Sequence, residues 1–158
     1  MNQITTFRRA TLNDIDILID YRIKFLKEIG QKSTPEAEAA LRINLQKYLK
    51  KSFKAKTYIV WIAEIENKPV GFGGMVIRSQ PGNFQVPNGK IGYILNMYTV
   101  PKFRKNGIGN DIIKLFLNDA KELKLDRVDL HATEMGEPLY RKFGFAESDY
   151  KFLELPLK

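Results

Sequence analysis

"VPKFRKNGIGNDIIKLF", residues 100–116, changes character twice along its length. It continues the apolar run of residues 91–100, turns basic and glycine-rich, and then places apolar residues at helical spacing. This order predicts a strand, a tight turn and a helix. The first amides of a helix lack internal partners and carry partial positive charge, and glycines beside them leave room for an anion. The stretch therefore predicts an anion-binding turn between a central strand and a helix.

The composition indicates one soluble globular unit. A chain of 158 residues is served by one hydrophobic core, so we expect a single domain over residues 1–158. No apolar run approaches the ~20 residues that cross a bilayer, and the first residues do not resemble a secretory signal. We therefore expect no membrane partner and a cytoplasmic location. Cysteine is absent, which excludes disulfides, thiolate metal ligands and a cysteine nucleophile, and we expect no metal cofactor.

The net charge of +8 favours an anionic partner, which could be a nucleic acid, a phosphorylated cofactor or a membrane surface. The densest basic run is "QKYLKKSFKAK", residues 46–56. A solvated helix end is the simpler interpretation of this run. Nucleic-acid binding is accordingly the least favoured hypothesis, and it would use Lys47, Lys50, Lys51, Lys54 and Lys56.

Apolar periodicity and turn residues predict an α/β (α+β) fold with a mixed central sheet of about six to seven strands flanked by about four helices. A short strand precedes a helix that Asn13 or Asp14 caps and Gly30 ends, and Thr34 caps a second helix. The remaining predicted elements are a hairpin turning at residues 66–68, a loop at 79–90, a strand at 91–100, a helix to about residue 124, a strand at 127–132, a short helix at 137–143 and a closing strand at 149–157.

The anion bound at the glycine turn is not identified by the turn alone. An ATP-type loop needs G-x-x-x-x-G-K-[ST], which is absent, and the dinucleotide fingerprint lacks its third glycine here. What remains is R-x-x-G-x-G, formed by Arg104, Gly107 and Gly109. One helix and one strand later the chain continues with "LYRKFGF", residues 139–145.

Together, "ILNMYTVPKFRKNGIGNDIIKLF" and "LHATEMGEPLYRKFGF" resemble the GNAT superfamily of acyl-CoA-dependent N-acyltransferases. The order of elements from residue 4 onward also fits that fold. The resemblance implies an acetyl-CoA-dependent N-acetyltransferase whose acceptor is an amine of a small molecule or peptide. A catalytically silent acyl-CoA-binding or regulatory domain is the alternative, and a homodimer is expected.

The resemblance also implies roles for individual residues. The coenzyme's pyrophosphate would bind amides of Arg104, Lys105, Asn106, Gly107, Ile108, Gly109 and Asn110. Met97 and Thr99, with Tyr98 between them, would offer backbone groups to the thioester carbonyl and pantetheine arm, and Tyr140 would protonate the departing thiolate. Many members carry Asn and Ala where this chain has Thr133 and Gly136, and the Thr133 hydroxyl could replace one pantetheine contact.

The sequence does not identify the residues that would activate and bind the amine. Glu64, His131 and Glu134 are candidate general bases, and a water chain could serve instead. Asn96 is polar within a central strand and needs a hydrogen-bond partner, but it cannot act as a base. Four acidic residues on the first helix could attract a cationic amine or form its solvated face: Asp14, Asp16, Asp20 and Glu28.

Overall fold

The strand, turn and helix predicted around residues 91–124 are present in the computed structural model, which describes residues 4–157. The strands are β1 (Thr5–Arg9), β2 (Tyr58–Ile65), β3 (Lys68–Ser79), β4 (Lys90–Thr99) and β5 (Arg127–Leu130). The helices are α1 (Ile15–Glu28), α2 (Pro35–Ala55), α3 (Ile108–Glu122) and α4 (Glu137–Lys142), with short 3-10 turns at Leu12–Asp14 and Pro101–Phe103. Within residues 4–157, no helix is both long enough and apolar enough to cross a bilayer.

The five strands form one mixed sheet in the order β1-β2-β3-β4-β5. The first three pairings are antiparallel, and β5 lies parallel to β4. The β2–β3 connection is a two-residue turn in which Glu66 and Asn67 both have positive φ, as the twist of a hairpin favours. The mixed α/β class is therefore confirmed, with fewer strands than the six to seven predicted.

The closing strand predicted for residues 149–157 is not formed. Its side chains alternate as a strand would require, yet they are largely exposed: Leu155 is 81% exposed and Leu157 is 90% exposed. Phe152 instead packs its ring edge-on against His131, with 4.9 Å between the ring centroids. The segment therefore follows the sheet edge without joining it.

Helices cover both faces of the sheet, because alternate strand residues point to opposite sides. On one face, which we call the α1 face, α1 and α2 pack against residues that include Phe72 and Tyr98. On the other, the α3 face, α3 and α4 pack against residues that include Met75 and Ile94. Gly73 allows the second packing, since a Cβ there would lie 2.5 Å from the Met97 sulfur.

Asp14 occupies the N-cap position of α1, as predicted, but its side chain makes no capping hydrogen bond to that helix. Thr11 instead caps the 3-10 turn Leu12–Asp14 that leads into α1, and its Oγ1 accepts a hydrogen bond from the Asn13 amide. The buried Asp14 carboxylate accepts from the Thr11 amide at 2.7 Å and from both terminal nitrogens of Arg8 at 2.9 and 2.8 Å. The Arg8 hydrogen bonds lower the pKa of Asp14. Asp14 therefore ties α1 to β1. At α2, Thr34 accepts from the Ala37 amide, which confirms the predicted cap.

Replacing Asp14 by Asn should destabilise the fold and change its response to acid. We expect a loss of about 1–3 kcal/mol at neutral pH, because charged hydrogen bonds to Arg8 are removed. The lowered pKa means that Asp14 contributes fully above its unfolded pKa of about 4 and loses this contribution as the pH falls toward its folded value. Urea unfolding between pH 2 and 7 measures both effects.

The matched control is Asp16→Asn, since Asp16 is an exposed acid on the same helix. It should change the unfolding free energy by less than about 0.5 kcal/mol. Equal losses in the two variants would contradict the role given to Asp14.

Candidate active site

The sheet opens where β4 and β5 part. Their parallel pairing ends at Ile94 and Leu130, whereas β4 continues to Thr99 beside β3 alone. Leu95, Asn96 and Met97 are consequently only half-buried, although they lie in a strand at the interior of the sheet. One side of β4 therefore has no strand partner over residues 95–99, so the backbone groups on that side lack the ladder partners that a further strand would supply.

Asn96 marks the point of parting. Its φ is +59°, and the β3–β4 register shifts beside it, between Phe72 and Gly74. The Asn96 side chain donates to the hydroxyl of buried Tyr58 at 2.8 Å and accepts from Nη1 of Arg22. These contacts supply the partners that a polar residue in this strand needs, and they hold the irregular backbone against the α1 face.

The glycine turn presents its amides as the sequence suggests. Gly107 precedes α3 with φ +81°, and no side chain among residues 4–157 caps the helix. The Asp111 amide bonds to the Gly107 carbonyl at 3.0 Å, so the earlier amides of Ile108, Gly109 and Asn110 have no intrahelical acceptor. A Cβ on Gly107 would meet nothing within 4 Å, so this end of the helix is open.

Gly109, unlike Gly107, is required by close packing between two helices. A Cβ at this position would lie 3.1 Å from Cδ2 of Leu139, which belongs to α4. Gly109 therefore lets the two helices approach closely. Because Tyr140 follows Leu139, the same contact fixes Tyr140 relative to the glycine turn.

Arg104 does not offer its positive charge to a ligand in the way the sequence suggests. Its Nη2 donates to both carboxylate oxygens of Glu28 at 2.8 and 2.7 Å, and its Nε donates to the Thr99 carbonyl at 2.8 Å. The guanidinium thus connects the turn, β4 and the end of α1. Lys105, by contrast, is exposed.

Tyr98, expected to lie along the cofactor, keeps its side chain away from the opening. Its ring is 8% exposed and packs against Tyr21 and Phe72 in the α1-face core. Met97 and Thr99 are half-buried on either side of it. The chain therefore anchors this part of β4 through Tyr98 and leaves its backbone at the opening.

Tyr140 is a buried phenol at the side of a cleft. Burial raises its pKa to about 12, and its ring packs edge-on against Phe145. The cleft has a volume of about 1080 Å³ and runs along β5 and the C-terminal segment. Tyr93 and His131 also line it, so the cleft brings these three side chains to one region.

Thr133 and Gly136 form a single local structure. The Gly136 amide donates to the Thr133 hydroxyl oxygen at 3.1 Å, which closes a turn before α4. A Cβ on Gly136 would lie 3.2 Å from this oxygen and 3.2 Å from the Tyr140 ring. The two departures from the family pattern are therefore coupled, and the Thr133 hydroxyl retains its proton for donation.

The three candidate bases lie in different places. Glu64 is on β2, which β3 separates from β4, and it accepts from Nε of Arg8 at 2.9 Å. His131 is exposed, with Nδ1 2.5 Å from the Tyr93 hydroxyl. Glu134 is exposed in the turn before α4. Of the three, His131 alone lines the cleft, and neither Glu134 nor Glu64 contributes to its lining.

The acidic residues of α1 are mostly paired with arginines. Asp14 binds Arg8, Asp20 binds Arg42 and Glu28 binds Arg104. Of the four acids that the sequence placed on this helix, Asp16 alone is exposed with no cation within 4 Å in residues 4–157. These pairs argue against a cationic-amine site on α1. The five lysines of residues 46–56 are all exposed, as a solvated helix end predicts.

Sequence reasoning missed Arg22, which contacts Asn96 at the opening. The signal was available, because Arg22 falls on the apolar stripe of α1 that contains Ile15, Leu18 and Ile19. A cation on an apolar stripe indicates either a buried ion pair or a ligand contact.

Variants of Asn96 should separate its backbone role from its side-chain role. Asn96→Ala should lose about 2–4 kcal/mol, since it leaves the buried Tyr58 hydroxyl without its donor and since Ala tolerates positive φ less well than Asn. Asn96→Gly relieves the backbone strain and should be more stable than Asn96→Ala by about 1 kcal/mol. Chemical denaturation measures this order. Equal stabilities of the two variants would contradict the left-handed backbone at this position.

The sequence matches the acetyltransferase (GNAT) domain family over residues 56–147. No curated protein matches the chain significantly. Among solved structures, a predicted acetyltransferase with acetyl-CoA from Clostridium acetobutylicum is 30% identical, with a TM-score of 0.90 and coverage of 98% of this chain and 97% of that one. A GCN5-related N-acetyltransferase from Ralstonia eutropha is 25% identical, with a TM-score of 0.86 and coverage of 96% and 99%.

Glucosamine-6-phosphate N-acetyltransferase from Arabidopsis thaliana is 15% identical, with a TM-score of 0.71 and coverage of 97% of this chain and 99% of that one, which is a likeness of fold. The match to the family covers more than half of the chain. The matched residues include the point where β4 and β5 part and the uncapped glycine turn. The chain belongs to the GNAT acetyltransferase family.

Proposed function

We propose that this protein is an N-acetyltransferase that transfers an acetyl group from acetyl-CoA to a primary amine of a small molecule or peptide by direct attack. The observation that carries the proposal is the open side of β4 next to the uncapped glycine turn of α3. The acetyl-CoA present with the Clostridium relative supports the choice of donor, and the 98% of this chain that the likeness covers supports one acetyltransferase domain over residues 1–158. We expect a cytoplasmic location.

Acetyl-CoA fits the residues present, because free amides and missing Cβ atoms at a helix start suit a diphosphate. When bound, it would supply the acetyl thioester that the amine attacks. A C–N bond would form as the C–S bond breaks, and the proton lost by the amine would pass to solvent water. We propose that the amides of residues 105–110 hold the pyrophosphate, since the Arg104 amide already donates to the Pro101 carbonyl at 3.2 Å. Met97, Tyr98 and Thr99 are proposed to offer backbone groups to the pantetheine arm. Thr133 would donate its hydroxyl to the same arm. Residues 4–157 contain no cluster of acidic, histidine or cysteine side chains that could hold a metal.

Two groups of the chain would act on the reacting atoms. The Met97 amide is proposed to donate to the carbonyl oxygen as negative charge develops there, and a fixed donor of this kind lowers the barrier. Tyr140 is proposed to donate to the departing sulfur. Its pKa of about 12 keeps the phenol protonated at neutral pH. Since thiols titrate near ~8.5, full proton transfer is unfavourable, and the contribution we assign is a hydrogen bond to sulfur.

Replacing Tyr140 by Phe should lower kcat about ten- to a hundredfold and leave coenzyme A binding unchanged. The loss follows from removing the donor while keeping the buried ring. In the free wild-type enzyme, deprotonation of Tyr140 should not limit the rate below about pH 11, because a raised pKa keeps the acid form present up to that range. Thiol release measures the rate, and the cysteine-free chain gives no protein background.

Tyr150→Phe is the control, because Tyr150 is 75% exposed. An unchanged rate in Tyr140→Phe would remove the proposed role. A protein that binds coenzyme A but releases no thiol with any amine would instead be the silent acyl-CoA-binding domain, which the Thr133 and Gly136 departures favour as the second candidate.

We also propose a homodimer, supported by the apolar side chains that the C-terminal segment exposes. Such side chains are expected to be covered by another protein surface. Sedimentation velocity of the wild type should show a dimer, and Leu155→Lys with Leu157→Lys should shift it to monomer. Phe84→Lys is the control, because Phe84 is a fully exposed apolar residue of the 79–90 loop. A wild type that stays monomeric at all concentrations would contradict the proposal.

A further inference from the structure

Arg22 is an unusual arginine in this protein. It lies on α1, is half-buried, and donates from Nη1 to the neutral side chain of Asn96. Within residues 4–157 it has no carboxylate within 4 Å, and Arg78 is the only other arginine of which this is true. The remaining arginines all pair with acids: Arg8, Arg9, Arg42, Arg104, Arg127 and Arg141.

A half-buried charge without a counterion is costly to keep. Burial lowers the pKa of Arg22, which reports the desolvation of its guanidinium. One amide oxygen satisfies part of its hydrogen-bonding capacity, whereas Nε and Nη2 have no partner in residues 4–157. These two nitrogens form the edge of the guanidinium that binds an oxyanion with two parallel hydrogen bonds. The residue is therefore arranged to receive an anion from outside the chain.

The position of Arg22 relates it to the acceptor and not to the cofactor. Its partner Asn96 directly precedes Met97, whose amide we assign to the reacting carbonyl. Arg22 reaches Asn96 from the α1 face, whereas the glycine turn leads into α3, which packs on the other face. A molecule held by Arg22 would approach the opening from the side opposite to α3.

A second cation lies on the same face. The guanidinium carbon of Arg78 is 3.8 Å from the centroid of the Tyr93 ring. Tyr93 is also close enough to Arg22 to influence it electrostatically. The acid opposite Tyr93 in the ladder, Asp129, already binds Arg127 at 2.7 Å. Arg78 thus adds a second positive charge on this face, which favours negative ligands and disfavours purely cationic ones.

We infer that the acceptor amine carries a carboxylate or phosphate group, which Arg22 binds on the α1 face with support from the charge of Arg78. This inference rests on the proposed acetyl transfer and specifies its substrate class. It also accounts for the ion pairs on α1, because acids left free there would repel such an acceptor.

Turnover of matched amines tests the inference. Each primary amine is supplied in three forms, with a carboxylate, with a phosphate, and with a neutral amide in place of the anion. We expect kcat/KM for at least one anionic form to exceed that of the neutral form about tenfold or more. Preference for the carboxylate or for the phosphate identifies which oxyanion the site takes.

Arg22→Gln should lower kcat/KM for the anionic acceptor about 30-fold or more relative to the neutral acceptor, mainly through KM. Lys47→Gln removes one positive charge from an exposed position of α2 and should have little effect. Asn96→Asp places a carboxylate beside Arg22 within the chain and should raise KM for the anionic acceptor as well. Loss of activity by Arg22→Gln toward neutral and anionic acceptors alike would overturn the inference.

A binding measurement separates this inference from the proposed function. With coenzyme A saturating the glycine turn, inorganic phosphate or acetate should raise the Tm of the wild type and not that of Arg22→Gln. Anion protection without turnover of any amine would support the anion site and reject the acetyltransferase. Turnover that favours neutral amines, with equal anion protection of both proteins, would reject the anion site and keep the acetyltransferase.

Discussion

β4 and β5 stop pairing after Ile94 and Leu130, and the open side of β4 that results determines where the surrounding residues lie. A strand inside a sheet normally has its backbone polar groups paired on both sides, because leaving them unpaired and buried is costly. In this protein the second partner is missing after Ile94, and the half-buried residues that follow must find other ligands. The chain stabilises the irregular point through Asn96, whose side chain joins Tyr58 and Arg22. The opening is therefore stabilised by specific side-chain contacts and is not a frayed strand end.

The two faces of the sheet contribute different residues to this opening. On the α3 face, the contact of Gly109 with Leu139 sets the glycine turn and Tyr140 in a fixed relation. On the α1 face, Asp14, Asp20 and Glu28 each form an ion pair with an arginine. Arg22 forms no ion pair with an acid in residues 4–157. Arg104 links the two sides, since it binds Glu28 of α1 and the Thr99 carbonyl of β4.

The sequence predicted the elements whose pattern is local. The apolar run, the glycines and the helical spacing of residues 91–116 each act over a few residues, so the strand, turn and helix followed from them. The prediction of a closing strand was wrong. Alternating apolar and polar residues at 149–157 are compatible with a strand, but they do not show whether a sheet edge is available to pair with it. The sequence also did not predict that Arg104 pairs with Glu28, which lies 76 residues earlier, because such pairs depend on the tertiary structure. Arg22 was visible as a cation on an apolar stripe, but its neighbour Asn96 is 74 residues away.

We propose that the exposed amides at the start of α3 hold the diphosphate group of coenzyme A. Pantetheine has the same arm without the diphosphate. Amide chemical shifts recorded during titration with each of the two compounds therefore show whether these amides bind the diphosphate. We expect coenzyme A to shift the amides of Ile108, Gly109 and Asn110 strongly, and pantetheine to affect residues 97–99 and leave those three unchanged. Saturation by coenzyme A with no change at these three amides would exclude diphosphate binding at the glycine turn.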